Sequence, residues 1–218
     1  MVISDSKSRL LVVAVAIAIS VGCKPPKSAK ELLEKYKDGG RDFSNVELKG
    51  ANFKGANLYK ADFNSSSLCK ADFSSAKLVR TNFSHANLVK ANFKMAKLNH
   101  ADLSFAKLTD ANLFGAVLKN ANMREAHLNF AEFHKATLVE ADLSNAKLLK
   151  ANLGYSNIRG ANLTGANLLG ADLRGAHLQG AVLAGTILTN AFFNSSTSIS
   201  RLGVWESGHL GVDRKSVV

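Results

Sequence analysis

Six histidines, two cysteines and a recurrent aspartate are the residues of this 218-residue chain whose types could do chemistry. A metal centre needs several such ligands converging on one point, at characteristic separations. His85, His100, His127, His134, His177 and His209 share no such separation. No two of the five between 85 and 177 lie 20 residues apart, the distance that the repeat described below turns into adjacency. Cys69 has no cysteine partner once Cys23 is assigned to the N-terminal segment, and it reads as a free outward thiol. Aspartate recurs before apolar residues, at Asp42, Asp62, Asp72, Asp102, Asp142 and Asp172, and Asn takes the same place in neighbouring units. A side chain that bonds nearby backbone explains both, so these are corner-forming groups rather than paired acids and bases. No Ser-His-Asp set or phosphate loop stands out. The chain reads as non-enzymatic, with no cofactor and no metal site.

The elements that carry these residues follow one rule. From Phe43 the chain places Leu or Phe every fifth residue, through Leu48, Phe53, Leu58 and Phe63 to Phe193. Met123 and Ile158 are the only other types among these 31 positions. Two residues before each centre from Phe53 onward stands Ala, with Ser66, Thr81, Ser156 and Thr186 as small substitutes. A period of five fits neither a 3.6-residue helix nor a two-residue strand, so the repetition itself defines the architecture. Phe is confined to alternate centres, and with residues 20 apart stacked, Phe43, Phe63 and Phe83 form one ladder and Phe53, Phe73 and Phe93 the opposite one.

The pattern A-(N/D)-(L/F)-x-x over residues 41–193 resembles the pentapeptide-repeat family. That resemblance implies an all-β fold, a right-handed quadrilateral β-helix in which four pentapeptides make each coil. Leu32-Leu33-x-x-Tyr36 before Gly40-Arg41-Asp42-Phe43 is similar to the N-terminal cap of many members. Coils stacked at ~4.8 Å would give a rod about 37 Å long, stable because neighbours stack and not because any unit is. Gly ends the six units from Gly160 to Gly185, where earlier units carry Lys60, Ser65, Lys70, Ser75, Arg80 and His85. Gly suits the positive-φ position of a type II turn, which predicts a change of corner type near residue 155.

The ends differ from the repeat. Lys7 and Arg9, the apolar run Leu10–Ile19 and the small residues after it read as an export signal over residues 1–22, too short for the roughly 20 residues of a spanning helix. Gly22-Cys23 before a polar tether resembles the lipobox of bacterial lipoproteins, although Ser20 stands where a branched aliphatic residue is preferred. The resemblance implies a lipidated Cys23 and a linker over 23–28; an uncleaved anchor and an ordinary signal cut elsewhere are the alternatives. Ser28-Ala29-Lys30-Glu31 has the form of a capping box, Leu32, Leu33 and Tyr36 share a helical face, and Gly39-Gly40 stops the helix. This places a capping helix at 29–37 within a segment 29–40. The repeat domain spans 41–195. Residues 196–218 form a cap or tail in which Ile199, Leu202, Val204 and Trp205 could cover the last coil. End-to-end dimerisation through Phe192-Phe193, which the family resemblance includes, is the other arrangement.

Charge separates the function classes. The chain carries 28 Lys and Arg against 17 Asp and Glu, net +11. Lys60, Lys70, Arg80 and Lys90 end alternate units and are the candidate anion-binding residues, with Lys77 and Lys97 as a further ladder. Like charges stacked one coil apart repel unless screened or bound. The sequence therefore predicts an exported, membrane-anchored interaction or scaffold module on the periplasmic or lumenal side, cytoplasmic if the signal is unused, with an unidentified protein partner. A binder of an anionic ligand is the second reading. A gyrase-protecting DNA mimic, known in the family, needs an acidic rod and comes third; nucleic acid is not an expected partner.

Overall fold

The computed structural model describes residues 26–198. Helix α1, Ala29–Lys37, begins at Ser28, whose Oγ accepts the Glu31 N–H at 3.2 Å. The Glu31 carboxylate returns to the Lys27 N–H at 2.8 Å, one residue earlier than a capping box would place it. The helix ends as Gly40 N–H donates to Lys35 O and Gly39 N–H to Tyr36 O, with Gly39 at φ +93, a Schellman-type stop. Leu32 is fully buried, and Leu33 and Tyr36 pack against the same core, so the apolar face of this short helix covers the first coil.

From residue 42 onward the chain is a solenoid with 20 residues per coil. Isolated parallel bridges join Asp42 to Asp62, Glu47 to Ser67, Asn52 to Asp72 and Asn57 to Lys77, and continue every five residues to Asp172 and Phe192. Each coil thus has four sides, named here by their first centres as the Phe43, Leu48, Phe53 and Leu58 sides. Each side contributes one bridging residue, because a turn intervenes every five residues. The described residues pair by single-residue bridges and contain no extended strand.

The interior explains the alternation of large and small residues. Centres from Phe53 to Leu178 are at most 2% exposed, and the Ala positions between Ala61 and Ala176 are equally closed. In the first coils the interior is aromatic. Phe53, Phe73 and Phe93 stack at 5.0 and 5.1 Å, Phe63 and Phe83 at 5.2 Å, and the two ladders meet edge to face, with Phe73 and Phe83 at 5.4 Å and 76°. Where a hydroxyl replaces Ala it is satisfied by a backbone carbonyl: Thr81 Oγ1 donates to Leu58 O and Ser66 Oγ to Phe43 O in the coil before, each at 2.9 Å, and Ser156 Oγ to Leu153 O in its own coil at 2.6 Å.

The predicted change of corner near residue 155 does not occur. Every fifth residue from Asn45 to Asn190 has positive φ, between 52° and 61° at the 21 non-glycine corners and between 63° and 71° at the glycines. The Ala51 N–H closes its corner on Leu48 O, and the same bond recurs around the rod, the pattern of a type II turn throughout. The reason is tertiary: the corner N–H is also held by the next coil, as Lys70 N to Val89 O at 2.9 Å and Gly165 N to Ala184 O at 2.8 Å. Stacking dictates the backbone, and side chains accept it at a cost of roughly 1–2 kcal/mol per left-handed residue.

The C-terminal end adds one residue and keeps its pairing. Ser198 bridges His177, 21 positions away, and Thr197 Oγ1 donates to Leu173 O at 2.9 Å, as Thr186 does to Leu163. The chain therefore still follows the coil through Ser198, three residues past the 41–195 span of the repeat domain. The signal, Cys23 and the group Ile199, Leu202, Val204 and Trp205 lie outside the described residues.

Candidate binding surface

The Asp and Asn before the centres act as the sequence predicts, on two opposite sides. On the Phe43 side Asp62 Oδ1 accepts the Asn64 N–H at 2.8 Å and the Asn82 amide at 3.0 Å; Asp102 and Asp142 repeat the pairing with Asn122 and Asn162. On the Phe53 side Asn92 pairs with Asp72, and Asn152 with Glu132. These groups are committed to turns and coil-to-coil bonds. At Asp42 the hydroxyl and N–H of Ser44 hold the carboxyl below its ordinary value, and at Asp172 the Arg174 guanidinium does the same.

Among the described residues no group of three or more His, Cys, Asp or Glu could hold a metal ion. Cys69 is a free, partly exposed thiol beside a corner. His127 lies in the bridge column between Lys107 and Lys147, and burial together with the two ammonium groups lowers its pKa. Where α1 meets the first coil an open groove of about 650 Å³ is lined by Leu33, Tyr36, Arg41 and Asn57, with the Arg41 guanidinium 3.9 Å over the Tyr36 ring.

The candidate anion-binding residues do not form one site. Lys60 stacks on Arg80 at the corner that follows the Leu58 side, and Lys70 on Lys90 at the corner that follows the Leu48 side. Two sides of the rod separate these corners, so one small ligand cannot reach both pairs.

A different grouping emerges when every outward position is assigned to its side. The Leu58 side and its two flanking corners carry ten Lys and Arg against one acid, Glu140, a net of +9. The remainder of the region 41–195 has eight Lys and Arg against ten Asp and Glu, a net of −2. Lys54, Lys60, Lys77, Arg80, Lys94 and Lys97 fill the upper half of the basic side; all six are exposed and none forms an ion pair. Lys60 lies 5.3 Å over the Tyr59 ring and Lys94 5.4 Å over Phe114. Along the corner preceding this side, Phe114 stacks on His134 at 5.8 Å and His134 meets Tyr155 edge-on at 5.4 Å. Gly175 makes room for this ladder, since a Cβ there would lie 2.6 Å from the Tyr155 ring, and Gly115 on the same corner makes room for Met95, whose Sδ would lie 2.5 Å from such a Cβ.

Lys54, Lys94 and the aromatic ladder were not singled out from the sequence. Their signal is the residue number counted in twenties at all five positions of the unit, whereas repeat position alone picked out Lys60, Lys70, Arg80 and Lys90.

Comparison with known proteins adds the family. The profile described as "Pentapeptide repeats" matches in eight copies that between them run over residues 42–194. Among solved structures, HetL from the cyanobacterium Nostoc sp. strain PCC 7120, a pentapeptide repeat protein involved in heterocyst differentiation regulation, is 29% identical over 80% of this chain and 100% of its own, at a TM-score of 0.29. Another pentapeptide repeat protein from the same organism is 36% identical over 55% of this chain and 84% of its own, at 0.28. QnrB1, a plasmid-mediated fluoroquinolone resistance protein, is 17% identical over 71% and 84%, at 0.46. No curated protein sequence matches. Members of the family are generally structural or interaction modules, and the 20-residue coil, its filled interior and the eight matched copies place this chain among them: it belongs to the pentapeptide-repeat family.

Proposed function

We propose that this chain is a non-catalytic interaction rod, the right-handed quadrilateral β-helix of its family, held at an envelope membrane through its N-terminus and acting as a docking or scaffold module. The observation that carries the reading is the closed interior. Centres and small residues fill it along the rod, so what the molecule offers a partner is its outer surface. The anchor rests on Lys7, Arg9, the run Leu10–Ile19 and Gly22-Cys23, with Cys23 as the lipidated residue on the periplasmic or lumenal side.

Metabolic labelling with a palmitate analogue tests the anchor. Label on the wild type that disappears in Cys23→Ala supports it; an unlabelled wild type in the soluble fraction overturns it. The second reading, an anionic ligand, is favoured by the +9 side more than by Lys60, Lys70, Arg80 and Lys90 as a set. A gyrase-type mimic of DNA would need the opposite charge along the rod.

A further inference from the structure

We propose that the Leu58 side of the rod lies flat on a bilayer surface that contains anionic lipid. Three features of that side support this. It gathers a net +9 while the remainder of the repeat region carries −2, so its field points one way rather than surrounding the rod. Its cations are free of carboxylates at Lys54, Lys60, Lys77, Arg80, Lys94 and Lys97, and Lys77 and Lys97 are bridged neighbours whose mutual repulsion an anionic plane relieves. Its margins carry exposed Tyr59, Met95 and Tyr155, amphipathic or apolar groups of the sort that settle at headgroup level.

The shape selects a plane over a strand of nucleic acid. The side is built of single-residue bridges stacked in straight columns, and the groove beside α1 meets it in the first coil alone, at Ala56 and Asn57, so it does not run along the column of cations. Single-strand binders use open aromatic faces as stacking platforms. Here the Phe114 ring is stacked on His134 and overlain by Lys94, and His134 meets Tyr155, so these rings are engaged with one another. Each basic residue near an anionic leaflet gains affinity for it, which makes a few neighbouring lysines sufficient for a measurable preference.

The inference rests on the membrane-anchored reading above, and the test separates the two. The full-length unlipidated chain is sedimented with sucrose-loaded vesicles of phosphatidylcholine alone or with 30% phosphatidylglycerol. Retention on neutral vesicles reports the N-terminal segment, and the increment on anionic vesicles reports the rod. Two triple variants with the same charge change are compared, K77E/R80E/K97E on the Leu58 side and K90E/K107E/K147E around the Leu48 side, with K77Q/R80Q/K97Q as a milder form and circular dichroism to show that each folds. The expected result is an increment of tenfold or more for the wild type. The K77E/R80E/K97E variant abolishes most of it, the glutamine form reduces it severalfold, the other triple changes it less than threefold, and 0.5 M NaCl removes it. Equal losses in the two glutamate triples, no loss in either, or side-dependent binding to a single-stranded 20-mer with none to vesicles would each overturn the proposal. Neutral-vesicle binding that persists without an anionic increment leaves the anchor standing and removes this inference alone.

Discussion

The coils from Phe43 to Leu98 and those from Ile158 to Leu188 reach the same backbone with different residues. The first set fills its interior with two interlocking Phe ladders and turns most of its corners on Lys, Ser, Arg and His, with Asn45, Gly50, Gly55 and Met95 at the others. The second is filled by aliphatic centres and turns on six consecutive glycines. Corner φ values differ by about ten degrees, 57° at Ser75 against 66° at Gly160, and the bridge spacing of 20 is identical. Coil geometry is therefore a property of stacking and of the large–small alternation. Corner chemistry decides how much strain the coil stores and what its surface displays.

The sharpest way to break the comparison is to remove a centre from each half. Phe73→Ala deletes a ring stacked between Phe53 and Phe93 and in edge contact with Phe63 and Phe83, and is expected to cost about 3–5 kcal/mol in urea unfolding. Leu168→Ala in the aliphatic half should cost about 2–4 kcal/mol. Equal losses would show that the aromatic ladders add nothing beyond volume.

Corners come next. Gly175→Ala places a methyl against the Tyr155 ring at φ +70, whereas Gly180→Ala at φ +71 meets nothing nearer than Gly160, 3.9 Å away. Both acquire the left-handed penalty of about 1–2 kcal/mol, and Gly175→Ala adds displacement of the ring, so its melting temperature should fall further. The converse change, Ser75→Gly at φ 57, relieves that penalty in the first set of coils. Because glycine also loosens the unfolded chain, the net gain should be under about 1 kcal/mol. A loss of stability in Ser75→Gly would mean that the serine corner is not strained.

The smallest effect is a pH dependence. The pKa of His127 in the fold lies below its ordinary 6.5, because burial and the Lys147 and Lys107 ammonium groups disfavour the charged ring. The unfolded chain then binds the proton more readily, so this group's contribution is present above pH 6.5 and is lost as the pH falls below it. Urea midpoints measured between pH 7.5 and 5.5 should decline more for the wild type than for His127→Asn, which copies Asn87 and Asn167 in the same column.

The period, the inward residues and α1 were legible because they depend on side-chain size and on local capping, both of which a sequence displays. Ser28, Leu32, Gly39 and the centres from Phe43 onward are of this kind. The uniform corners were not legible. Lys70, Phe105 and Glu140 are poor choices for a positive φ on local grounds, and the coil-to-coil bonds that hold them there join residues 19 apart. The basic side was half legible: the Lys77 and Lys97 ladder could be read, yet its union with Lys54, Lys94 and Lys119 requires folding all five positions of the unit into four columns.

The bridge spacing has a consequence for how such a chain can change length. Because each outward residue is assigned to a side by its number within the coil, lengthening the chain by 20 residues would extend the rod and leave every face in line. Five extra residues would preserve the filled interior and the corners while turning everything downstream by a quarter revolution, so that Lys77 and Lys97 would no longer share a face with Lys119. One extra residue would exchange inside for outside; the single additional residue between His177 and Ser198 is accommodated where only the last described turn of the coil follows it. Surface pattern and core are thus governed by different divisors of the same count, which lets the address of a binding face change without any change in what holds the rod together.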